Sequence, residues 1–216
     1  MKTQIMNKLI TAIIILVIAT MVNAQEVENN FQTRFSASAI FEPVHNLKFE
    51  FTPELRFNEN FILDKSVVET ALEYELLKFL SFGASYRFTA NKRETKETEY
   101  LHRYTLNTTV KKKINRFTPS LRILYANYSD EDDYKEILRF KGKVKYNIPK
   151  NKLTPFFAVE AFQSLNINDL YKMRYSIGFD YKIFKRSSIS IDYMLDYYLN
   201  EYRNKHIFSL GYHIKF

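Results

Sequence analysis

Three groupings of residues in this chain have the types and spacing for chemistry. The first is a set of charged side chains at alternating positions: Glu54 and Arg56, Glu69 and Glu73, then Arg87, Arg103, Arg122, Arg139, Glu160, Arg174, Asp180, Asp192 and Asp196. Alternate residues of an extended chain share a face, so these carboxylates and guanidinium groups would line one side of a sheet. Such a face suits a selective pore or a solute pocket. The alternative is an interior of paired acids and bases, because a buried charge without a partner is costly.

The second grouping is Ser209 and His213, with Asp192 or Asp196 on the preceding strand. These are the residue types of a lipid hydrolase or acyltransferase working at a membrane boundary. Four residues along a strand span about 13 Å, too far for a direct Ser–His hydrogen bond. The third is Asp130-Glu131-Asp132-Asp133, whose oxygens suit a hard cation such as Ca²⁺. It lacks the glycine and the later bidentate acid of an EF-hand loop, so it reads as a solvated loop. No metal site and no cofactor is expected.

The elements that must carry these residues are strands. From Phe31 onward the chain divides into about eleven period-two segments of roughly ten to fourteen residues, the length that crosses a membrane in a barrel. Leu47, Phe49, Phe51, Leu55 and Phe57 oppose Lys48, Glu50, Thr52, Glu54 and Arg56. Leu80, Phe82, Ala84, Tyr86 and Phe88 oppose Ser81, Gly83, Ser85, Arg87 and Thr89. Ser66 to Leu77 has the glutamates of a helix, but Val68, Thr70, Leu72, Tyr74 and Leu76 alternate and favour a strand. Around 119–128 and 153–164 both faces carry apolar residues, and the pattern is weakest there.

Short basic turns at Leu77–Phe79, Lys112–Arg116, Pro149–Lys152 and Lys185–Ser187 alternate with longer polar loops. Short periplasmic turns and longer outer loops are the membrane-barrel arrangement. Tyr100, Tyr125, Tyr128, Tyr171, Tyr197, Tyr198 and Tyr202 fall towards the loop ends, where an aromatic girdle is expected. Parity raises a conflict: bacterial barrels have an even strand number, yet counting back from Phe216 leaves the first strand running the wrong way. The expectation is a closed antiparallel barrel of ten to twelve strands.

The ends agree with export. Lys2 and Lys8 precede an apolar stretch from Leu9 to Val22, and Val22-Asn23-Ala24 offers small residues for cleavage. Residues 1–24 thus read as a cleaved signal peptide and 25–216 as one barrel domain. Phe208, Leu210, Tyr212, Ile214 and Phe216 alternate with Ser209, Gly211, His213 and Lys215. This last stretch looks like the closing strand of an outer-membrane barrel, with Tyr212 and Phe216 as the C-terminal assembly signal read by the barrel-assembly machinery.

Composition narrows the alternatives. The chain has no cysteine, which removes disulfides, thiolate metal sites and a lipoprotein anchor. Its net charge of +8 becomes +6 when Lys2 and Lys8 are removed. The cations are scattered over strands and turns, without a basic tail or a nucleic-acid module, so contact with outer-membrane lipid and lipopolysaccharide explains them better than nucleic acid does. A soluble periplasmic β-protein that binds a ligand would place the same apolar stripe inward. Each strand would then send four or five large side chains into a cylinder already filled at about eight strands. Outward placement in the outer membrane avoids that overfilling, and a two-sheet sandwich escapes the argument.

Four further stretches carry a family likeness: Glu54-Leu55-Arg56-Phe57; Tyr86-Arg87-Phe88; Arg103-Tyr104-x-Leu106 leading to Lys111-Lys112-Lys113; and Tyr146-Asn147-Ile148-Pro149-Lys150 before Thr154-Pro155-Phe156. On these the chain resembles the domain-of-unknown-function 2490 family of exported barrel proteins, from about Phe31 to Phe216. The resemblance implies an outer-membrane barrel and assigns no catalytic or binding residue. The reading is a non-catalytic barrel, structural or a small-solute pore.

Overall fold

The computed structural model describes residues 27–92, 97–128 and 135–216. The segment read as a signal peptide and the run Asp130–Asp133 lie outside the described residues.

Period-two alternation forms strands throughout. They are β1 (Glu28–Val44), β2 (Leu47–Phe57), β3 (Leu63–Leu77), β4 (Leu80–Asn91), β5 (Glu99–Lys111) and β6 (Phe117–Tyr128). The second half adds β7 (Glu136–Tyr146), β8 (Leu153–Ser164), β9 (Asp169–Phe184), β10 (Ser187–Tyr198) and β11 (Arg203–Lys215). Among the described residues these eleven strands close into one barrel, each beside its sequence neighbour, with β1 returning to β11. The segment Ser66–Leu77 is a strand within β3, and both weakly patterned regions are strands.

Closure departs from the all-antiparallel expectation. β1 and β11 run parallel, in unbroken register from Glu28 opposite Arg203 to Ile40 opposite Lys215. The parity conflict is resolved by the odd number: the first strand does run the other way, and the barrel accepts it by a parallel pair. The seam is reinforced at both rims. Phe31 stacks on His206 with ring centroids 4.8 Å apart, and His206 Nε2 lies 3.1 Å from Asn29 Oδ1. At the other rim Phe41 stacks on Phe216 at 4.9 Å, and Lys215 Nζ is 2.8 Å from Glu42.

Turn chemistry is local. Asn46, Asn115 and Asn168 take positive φ at three connections, a conformation asparagine tolerates because its side chain bonds the nearby backbone. Gly211 is a point of close approach: a Cβ there would stand 2.6 Å from Ser190 Oγ and 3.1 Å from Ser36 Oγ, so β10, β11 and β1 come together over a position without a side chain.

The barrel is apolar outside. Leu121 is 68% exposed, Leu106 62% and Ile177 61%, while Gln32, Ser38, Ser81, Thr105, Glu160 and Asp196 are buried within. A single closed layer has no second sheet to cover the outer stripe, so the sandwich reading fails. The fold is a transmembrane β-barrel, with its backbone groups paired around the wall as hydrocarbon requires. An arginine at Ile177, midway along β9, should therefore destabilise the barrel in a bilayer by about 2–4 kcal/mol. Urea unfolding in lipid vesicles reads this, and an unchanged midpoint would show that this face does not meet acyl chains.

Candidate functional site: the charged lumen

Directly paired residues on neighbouring strands point to the same side, so register decides which charges meet. One row runs Arg122, Lys141, Glu160, Arg174, Asp196, Lys205 across β6 to β11. A second runs Glu69, Arg87, Arg103, Tyr128 across β3 to β6. Both rows face the lumen.

Glu160 sits at the centre of the first row with its side chain 2% exposed. Arg139 Nη2 is 2.8 Å from its Oε1, Arg122 Nη2 is 3.7 Å from the same oxygen, and Lys141 Nζ is 3.9 Å from Oε2. Asp196, 3% exposed, receives both arms of the Arg174 guanidinium, and Lys172 approaches to 3.4 Å. Glu69 is bound by Arg87 and lies 3.7 Å from Arg103, whose Nη1 donates to Tyr128 Oη at 3.0 Å. Glu54 pairs with Arg56. In these contacts eight cations share four carboxylates. The waist is positively charged in excess.

Phe162 belongs to a strand whose two faces are both apolar, and it points inward. Its ring lies beneath Arg139, Lys172 and Arg174, at 4.6, 4.1 and 5.3 Å from the ring centroid. Buried cations here gain the face of a π-system. Above the waist opens a vestibule of about 450 Å³ whose wall includes Arg34, Arg56, Lys65, Arg87, Arg103, Lys172, Arg203 and Lys205, against Asp196 and Glu201.

The other expected lumen charges lie elsewhere in the barrel. Glu73 pairs with Lys48 at 3.5 Å and is 43% exposed. Asp180 accepts from Lys145 at 2.8 Å. Asp192 makes no ion pair among the described residues, and lies opposite Ser209 and Gly178 in the ladder.

The residues expected for lipid hydrolysis do not converge. Ser209 and His213 share the inner face, but His213 Nε2 hydrogen-bonds Ser190 Oγ at 2.9 Å, a neighbour supplied by register rather than by sequence spacing. Among the described residues no carboxylate orients its other nitrogen, and strand pairing engages the adjacent backbone N–H groups. Among the same residues no group of three His, Asp or Glu is placed to hold a metal. The tyrosine expectation is corrected in part. Tyr100, Tyr197 and Tyr202 are outward and exposed, and Tyr125 donates to Glu136 at 2.6 Å. Tyr128, Tyr171 and Tyr198 instead line the vestibule.

A family model described as "Protein of unknown function (DUF2490)" matches residues 28–206. The chain belongs to this family. No curated protein matches it by sequence. Among solved structures it is similar to a KdgM porin at 13% identity and a TM-score of 0.50, covering 76% of this chain and 82% of that one. A KdgM porin in complex with disordered oligogalacturonate matches at 12% identity and a TM-score of 0.49, with the same coverage. At 13% identity the likeness to the first is one of fold alone, a closed β-barrel.

The ion network predicts its own energetics. Replacing Asp196 by alanine leaves Arg174 and Lys172 buried without their carboxylate and should cost about 3–5 kcal/mol. Replacing the half-exposed Glu73 by alanine should cost no more than about 1 kcal/mol. Chemical unfolding of the two variants in one detergent checks the contrast; equal losses would mean that the waist is not dry.

Proposed function

We propose that this barrel resides in the outer membrane and passes small anionic solutes without catalysis. The observation that carries the reading is the cation excess of the waist, where eight basic side chains share four acids. A low-dielectric wall lined by one sign of charge concentrates the opposite ion, and a cationic ring selects anions in a pore. Because the carboxylates at the waist are buried, the passage is narrow, and conductance is small beside that of the 16–18-stranded porins.

The location rests on the apolar outer face, membership of the family and the segment 1–24 as a cleaved export signal. In this reading the outer face contacts outer-membrane lipid and lipopolysaccharide, and Tyr212 and Phe216 present the last strand to the barrel-assembly machinery. Phe216 is suited to that role, since it is exposed on the outer surface and stacks on Phe41 across the seam.

Reconstitution in planar bilayers tests the function. Under a KCl gradient the reversal potential should take the sign of chloride selectivity. Cation selectivity, or a silent bilayer containing folded barrel, would overturn the reading.

A further inference from the structure

The vestibule holds three cations that the waist network leaves unmatched, beside Arg56, which that network engages only in part. Arg34 on β1 stands directly opposite Arg56 on β2, and Arg56 directly opposite Lys65 on β3. Like charges at directly opposed positions repel. Lys205 on β11 shares the same cavity, and the positive charges of Arg34, Lys65 and Arg56 all act on it. Arg34, Lys65 and Lys205 enter no ion pair among the described residues. Four acids face the group, and each has another partner. Glu54 is engaged by Arg56, Asp196 stands opposite Lys205 but is held by Arg174 and Lys172, Glu201 pairs with Arg203, and Asp64 Oδ2 is 3.5 Å from Gln32 Nε2. Gln32 Oε1 also accepts from Arg34 Nε at 2.8 Å, which leaves the guanidinium fork of Arg34 uncommitted. Arg56 Nη2 is buried and has no hydrogen-bond partner.

A buried donor with no acceptor is costly, and here it sits within a ring of four positive charges. An oxyanion supplies what is missing: oxygens for the guanidinium forks, which match phosphate and carboxylate geometry, and charge for the two ammonium groups. We propose that Arg34, Arg56, Lys65 and Lys205 form a discrete binding site for one oxyanion, a phosphate or carboxylate group of a solute entering the barrel. The site deepens the anion-passing reading and rests on it. The groups face inward, so the wall separates them from the headgroups of surrounding lipid.

Phosphorus NMR or calorimetric titration of the folded barrel in detergent, with inorganic phosphate as the probe, tests the site. Saturable binding of one phosphate per barrel is expected. Arg34→Gln and Lys205→Gln should each weaken it by about tenfold, the loss of a charge-assisted contact. Lys182→Gln, which removes the same charge at an exposed position on β9, should leave affinity unchanged. Heat-modifiable gel migration establishes that each variant is folded. Absence of saturable binding would overturn the site, as would equal weakening by Lys182→Gln. Lipid A added to the micelles should not displace phosphate; displacement would make a lipid headgroup the occupant and overturn the solute assignment. A barrel that selects chloride but binds no phosphate loses this site alone. One that binds phosphate without chloride selectivity loses the pore reading alone.

Discussion

The wall of this molecule is governed by the pairing of backbone amides where no water can reach them. An unpaired N–H or C=O in hydrocarbon costs several kcal/mol, so the sheet must meet itself whatever the number of strands. With eleven strands, that requirement forces one parallel pair, β1 with β11. Parallel pairing is slightly weaker per residue than antiparallel. The seam compensates with length and with aromatic stacking at both rims.

Closure then fixes the lumen. Once register is set, each inward residue has defined neighbours on both flanking strands, and charges far apart in sequence fall into rows. Glu160 and Arg122, on strands separated by β7, share an ion cluster because both lie on one row. Pairing of these charges stabilises the interior less than an apolar filling would, yet it gives the waist a sign that hydrocarbon cannot. The surplus of guanidinium and ammonium groups over carboxylates is therefore a property of register as much as of composition.

Which residues face in and which face out was legible in the sequence, because alternation has a period of two and the apolar stripe cannot be fitted inside. The terminal stretch from Phe208 to Phe216 and the Glu54–Arg56 pair both follow it. Partners were not legible. Spacing along the strand set Ser209 too far from His213 to bond it, but only cross-strand register names Ser190 as the partner. Tyr171 escaped alternation for a different reason. A bulge opposite Phe162 and Gln163 adds one residue to β9 and turns both Tyr171 and Lys172 inward. Lys141 and Lys172 lay on the right face all along, and their importance emerged only when their shared acids could be counted; Arg34, Lys65 and Lys205 stood out because they enter no ion pair among the described residues.

The parallel seam has a topographical consequence. Glu28 enters the wall beside Tyr202, whereas Phe216 leaves it beside Ile40, at the opposite rim. In an even-stranded barrel both tails dangle in one compartment. Here they are segregated, so any polypeptide joined ahead of β1 is held across the bilayer from anything joined behind β11.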